Sequence, residues 1–172
     1  MKGFARAGLA VLAAAGLFWG WRMLFPSDDK RIHKLLNQLA ARLSVRPNQS
    51  ALSRLARGSN LNPFFTPDIV VDIEIAGRDW SDVQGRDELV QTIQAALARL
   101  RQSDIRFYSI AIGFSPDRQT ANAHLIALAY LNGETDPVVH ELSMVLKKQE
   151  RKWVISHAQT AGDHPSRGAD GP

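Results

Sequence analysis

The run Asn62-Pro-Phe-Phe-Thr-Pro-Asp-Ile-Val-Val-Asp-Ile-Glu-Ile-Ala-Gly77 divides the chain. Asn-Pro and Thr-Pro bias the residue before each proline away from helix, so the helical part stops here. Ile69, Val71, Ile73 and Ile75 then alternate with Val70, Asp72 and Glu74. A period of two in β-branched residues predicts a strand with one apolar face and one wetter face. Ala76-Gly77 turns the chain into a short return segment around Trp80, which completes a first hairpin.

Two helices are predicted before this run. Ser27 is a good N-cap, and Asp28 and Asp29 stand at the positive end of the helix dipole. Ile32, Leu35, Leu36, Leu39 and Leu43 form one apolar stripe, which Arg46-Pro47-Asn48 ends. A second, short helix is predicted over 49–57, with Leu52, Leu55 and Ala56 on one face and Gly58 as its cap. Beyond the hairpin, Gly85 opens a third helix with acids in its first turn and Arg99 and Arg101 at its end. Four strand-like runs follow, at about 105–114, 121–131, 138–148 and 152–160. The turns between them are short, so they are expected to pair as an antiparallel meander. The spacing predicts an α+β domain in which a curved antiparallel sheet wraps around three helices.

The outer segments read differently. Ala7 to Trp21 carries no charge and follows Lys2 and Arg6. It falls short of the about 20 residues that span a bilayer, but Phe4, Ala5 and Met23–Phe25 extend it. Arg22 would then snorkel, and Trp19 and Trp21 suit an interfacial belt. The reading is an uncleaved transmembrane anchor over 1–26. The rival is a cleaved signal peptide, but Ala13-Ala14-Ala15 lies inside the apolar run and no small-x-small pattern follows Trp21. The short basic start resembles a bacterial signal anchor, which places the globular part in the periplasm beside the cytoplasmic membrane. Arg22, Lys30, Arg31 and Lys34 argue for the opposite orientation. Residues 27–160 are read as the folded domain, and 161–172, rich in Gly, Pro, Asp and Ser, as a disordered tail.

Composition excludes several chemistries. The chain has 172 residues, no cysteine and a net charge of +4. Disulfides, thiolate metal sites and a cysteine nucleophile are ruled out. The basic residues form no stripe with interleaved aromatics, so no nucleic-acid partner is expected. Neither a phosphate-binding glycine loop nor a nucleophile elbow is present. Strands 105–114 and 121–131 carry apolar residues on both parities, where a sheet wet on one side would alternate. Helices account for one side; a second copy of the sheet is expected on the other, giving a homodimer. Scattered surface hydrophobes are the plain alternative.

This layout resembles the NTF2-like superfamily, with its SnoaL-like proteins and ketosteroid isomerases. The resemblance rests on Phe65-Thr-Pro-Asp-Ile-Val-Val-Asp72, the helix start Gly85-Arg-Asp-Glu-Leu89 and the closing strand Lys152-Trp-Val-Ile-Ser-His157, and covers about Asp28 to Thr160. More narrowly, the chain looks like small membrane-anchored bacterial members. The resemblance implies a cone with a pocket between sheet and helices, often dimerised through the sheet. It leaves function open, because the fold hosts enzymes, carriers and interaction modules.

Isomerase-like members would place a carboxylate base on the first hairpin, in a pattern like Asp-Ala-Thr-Val-Glu-Asp, and a tyrosine on the first helix. Aligned on Asp68, the base position here is Ile73, and Ser27–Val45 contains no tyrosine. Asp72 falls on the opposite parity and reaches the pocket only through a one-residue bulge. The other chemical candidates are His124, His140, Glu141 and His157. His140 shares parity with Leu142, Met144 and Leu146, and His157 with Trp153 and Ile155, so both histidines are pocket candidates, with Ile73 and Trp80 as walls. Paired histidines serve as general acid and base or as metal ligands; histidines near strand ends also serve as plain structural groups. No short-range ligand spacing appears, so neither metal nor cofactor is expected. The sequence is read as a noncatalytic membrane-anchored module that binds a partner protein or a small apolar ligand, with an accessory subunit of a membrane complex as one such role. The alternative is an isomerase- or hydrolase-like enzyme acting on a hydrophobic molecule.

Overall fold

A computed structural model describes residues 27–47, 61–75, 78–79 and 83–161. The expected anchor with Trp19, Trp21 and Arg22, the short helix over 49–57, Trp80 and the tail beyond 161 lie outside them. Among the described residues no helix is long and apolar enough to cross a membrane. The chain divides into two compact units, residues 1–32 and 33–172. The first contributes only its last residues here, where the Ser27 carbonyl and hydroxyl accept from Arg31 N (3.1 Å) and Lys30 N (3.5 Å) to open a helix.

That helix is α1 (Asp28–Leu43). Leu36, Leu39 and Ala40 are buried, on the stripe that the 3–4 spacing predicts. A 3₁₀ turn (Asn62–Phe64) leads into β1 (Phe65–Asp72). β2 (Glu74–Ile75) and β3 (Arg78–Asp79) pair as a small antiparallel ribbon, and β4 (Val83–Gln84) returns to pair with β1. Helix α2 (Arg86–Arg99) follows, burying Leu89, Val90 and Leu97. Then come β5 (Ser103–Phe114), β6 (Thr120–Leu131), β7 (Val138–Gln149) and β8 (Lys152–Thr160). The last four form the expected antiparallel meander, with ends within two residues of the predicted ones.

One expectation fails. The sheet is mixed, with six strands in the order β4-β1-β8-β7-β6-β5. β1 lies parallel to β8, with Val70 opposite His157 and Asp72 opposite Gln159. Hydrophobic period tells which face a residue takes, not which way its neighbour runs. The long excursion through β2 to β4, α2 and β5 to β7 is ample for the crossover that parallel neighbours require.

Two extra residues break the alternation. In β8, Ile155 opposes Leu146 while His157 opposes Val145, so Ser156 is a bulge. In β5, Tyr108 opposes Ile126 while Ala111 opposes His124, and Ser109 takes φ 52°. Each bulge exchanges the two faces of its strand.

The C-terminal end of α1 is clipped to the start of the edge strand β5. Val45 and Ser103 exchange backbone hydrogen bonds of 2.9 Å. The Ser44 hydroxyl accepts from Ile105 N at 3.0 Å and donates to Ala40 O at 2.9 Å.

Candidate functional site

The interior face of the sheet is set by register. Across β6 and β7, Ala121 opposes Leu146, Ala123 opposes Met144 and Leu125 opposes Leu142, and all six are buried. β8 adds Trp153, Ile155 and Ala158, and β1 adds Ile69 and Val71, also buried. Toward the other end of the same face the packing opens. Ile105 opposes Ala129, which opposes Val138; Phe107 opposes Ala127, which opposes His140. All six of these side chains are half-buried. Two alanines on the middle strand, flanked by Phe107 and His140, form a low apolar floor.

Among the described residues, three buried polar side-chain atoms lack a hydrogen-bond partner: Thr66 Oγ1, Arg86 Nε and His140 Nε2. Arg86 Nε has the Asp87 carboxylate at 3.6 Å. The Thr66 hydroxyl lies close enough to Asp68 to be the leading cause that holds its carboxyl below the ordinary value. His140 Nε2 makes no hydrogen bond among the described residues. Leaving a buried donor or acceptor unsatisfied costs roughly 1–3 kcal/mol.

The remaining predicted residues fall elsewhere. His157 opposes Val145, so the Ser156 bulge carries it to the outer face, away from Trp153 and Ile155. Its Nε2 lies 3.0 Å from Gln159 Oε1. The expectation that both histidines share the interior therefore gives way. Ile73 follows the last residue of β1, continues the parity of Ile69 and Val71, and is half-buried. Asp72 is exposed on the opposite parity. β1 does carry an irregularity, but it lies between Phe65 and Val70, so it does not turn Asp72 inward. His124 and Glu141 are exposed on the outer face, opposite Ser143 and Ile126. Among the described residues no three metal-binding side chains converge.

Sequence reasoning missed what the alanine floor means. Ala127 and Ala129 read as ordinary small strand residues. Only their pairing with Phe107, His140, Ile105 and Val138 shows that they line an opening.

Residues 39–159 match the family model of the SnoaL-like domain. The chain belongs to this SnoaL-like family, and with it to the NTF2-like superfamily. Solved structures share the fold at low identity. A candidate scytalone dehydratase from Novosphingobium aromaticivorans is 15% identical with a TM-score of 0.58, over 77% of this chain and 82% of its own. A protein from Nostoc punctiforme with a cystatin-like fold is 15% identical with a TM-score of 0.57, over 82% of this chain and 96% of its own. A protein from Kribbella flavida is 13% identical with a TM-score of 0.58, over 80% and 92% of the two chains. No curated protein sequence matches. At such identities the likeness is one of fold, and an activity does not travel with it. The SnoaL-like match and the open interior face describe the same strands, so function is to be sought at that opening.

Proposed function

We infer that this SnoaL-like chain is a noncatalytic binding module whose interior opening takes a small apolar ligand. One observation carries the reading. Among the described residues of β5 to β7 the opening is lined by Ile105, Phe107, Ala127, Ala129 and Val138, with His140 as the single titratable group. Among the described residues, the other ionisable side chain on the interior face of β5 to β8 is Lys148. It stands at the far end, with its amine 5.5 Å over the Trp153 ring. Proton-shuttling chemistry needs a second group within reach of the same substrate atom. An apolar recess with few polar groups is the usual form of a small-molecule site.

The test is titration of the full chain with N-phenyl-1-naphthylamine, an uncharged dye that brightens in apolar surroundings. Ala127→Trp, which fills the floor, abolishes the saturable component. Saturable binding that is unchanged in Ala127→Trp refutes the reading.

The outer face supports a protein partner as well. Tyr108, Val139 and Val70 are 44%, 55% and 37% exposed there, beside half-buried Ile126, Leu128 and Val145. Our reading is that a second copy covers this face. Sedimentation of Tyr108→Glu/Val139→Glu against the unaltered chain tests it, and an unaltered chain that sediments as a monomer refutes it. The uncharged run Ala7–Trp21 supports attachment to the cytoplasmic membrane, with the domain in the periplasm as an accessory subunit of a membrane complex. Carbonate extraction and protease access on intact spheroplasts test that placement.

A further inference from the structure

We propose that the ligand of this opening is an apolar molecule bearing one neutral oxygen, a hydroxyl or carbonyl, which hydrogen-bonds to His140 Nε2. The proposal rests on the binding reading given above. Two features of His140 carry it. Its backbone register places it beside Ala127, on the face shared by Leu142 and Met144. Its Nε2 is shut off from solvent and has no partner among the described residues, although the residue as a whole is only half-buried. The exposed surface of the residue therefore belongs to its other atoms.

On β5, β6 and β7 its neighbours on this face are hydrocarbon, and on β8 the polar side chain of Thr160 stands opposite Leu142. Ala127 lies opposite, Phe107 lies one strand further, and Leu142 is the next residue on the same face. Nε2 makes no hydrogen bond to the Thr160 hydroxyl or to any other described group. A ligand that is wholly apolar would leave it unmatched. A charged ligand would have to be desolvated against Phe107, Ala127 and Ala129 with a single neutral partner, which is costly. One neutral oxygen on an apolar skeleton matches both the atom and its surroundings. A hydroxyl fits either imidazole tautomer, because it donates and accepts; a carbonyl requires the proton on Nε2.

The experiment compares naphthalene with 2-naphthol, the same skeleton without and with one hydroxyl, binding to the full chain by competition against the dye. With the oxygen handle, 2-naphthol binds about tenfold more tightly than naphthalene. His140→Phe keeps a ring of similar size and brings the two affinities together, while His140→Gln restores part of the difference. A ring-nitrogen ¹⁵N resonance of His140 that shifts with 2-naphthol and not with naphthalene shows the bond directly. Equal affinities in the unaltered chain, or a preference that survives in His140→Phe, overturn the proposal and leave the apolar site standing. Failure of both molecules to displace the dye removes the site and the proposal together.

Discussion

His140 faces the interior of the sheet opposite Ala127, whereas His157 stands on the outer face opposite Val145. The separation comes from one residue. Ser156 is extra in β8, so the parity that Trp153 and Ile155 begin passes to Ala158 and not to His157. Ser156 is buried, and its hydroxyl donates to Val145 O at 3.2 Å. Ser156→Ala removes that bond and costs about 1 kcal/mol. Deleting Ser156 removes the extra residue itself, so Ile155 and Ala158 stay inward and His157 and Gln159 outward, and it should cost little more than Ser156→Ala. Urea unfolding of the two variants checks this. If deletion costs far more than Ser156→Ala, the faces do not follow from this one extra residue.

His140→Phe is expected to raise stability. The substitution removes a buried nitrogen that has no partner among the described residues and keeps an aromatic ring over Ala127. The expected gain is about 1 kcal/mol, the lower part of the cost of an unsatisfied group. Losing binding while gaining stability is the usual signature of a site retained for function. Denaturant midpoints at equal slope measure it. A loss of stability would mean that Nε2 has a partner in the apo protein.

Turn geometry gives an opposed pair of substitutions. Gln149 and Lys152 pair across a two-residue loop in which Glu150 and Arg151 take φ 46° and 70°. This is the backbone that Asn-Gly supplies cheaply, and other side chains crowd their own carbonyls there. Glu150→Asn should stabilise by about 0.5 kcal/mol, since Asn tolerates the left-handed region. Gly133 sits at φ 85°, and a Cβ placed on it meets nothing within 4 Å. Gly133→Ala should therefore destabilise by about 1 kcal/mol through backbone strain alone. Thermal melts of both variants check the pair, and a neutral Gly133→Ala would remove the argument.

Much of this fold could be read from single strands. Ile69 and Val71 are buried and Val70 and Asp72 exposed, as their alternation requires. The four closing strands were bounded by their turns. Pairing was harder to read. Residues Phe65 to Asp72 contain nothing that specifies a parallel neighbour, because that partner arrives some eighty positions later. The bulges at Ser109 and Ser156 are equally hidden, since an extra residue exists only relative to a partner strand. Trp153-Val154-Ile155 offered a hint: three consecutive apolar residues, all buried, do not alternate. Taking a clean period of two through that run put His157 on the wrong face.

The turn between β5 and β6 predicts a pH effect. The Ser115 hydroxyl donates to Asp117 Oδ1 at 2.6 Å, and Gln119 N donates to the same oxygen at 3.0 Å. These bonds, the hydroxyl first, hold the Asp117 carboxyl below its ordinary value of 3.8. A carboxyl with a depressed folded value favours the folded state most when it is ionised. Its contribution is complete above the ordinary value, and it is lost as pH falls from there through the folded value. The stability gap between the unaltered chain and Asp117→Asn should therefore be constant near neutrality and close below about pH 4. Ser115→Ala removes the leading cause, so the Asp117 carboxyl should titrate closer to 3.8, as followed by its ¹³C shift. The side chain is exposed, so salt should affect this little if short hydrogen bonds, not long-range charge, set the value. An unmoved titration in Ser115→Ala, or one that moves chiefly with salt, would show that the turn's hydrogen bonds are not what hold Asp117 down.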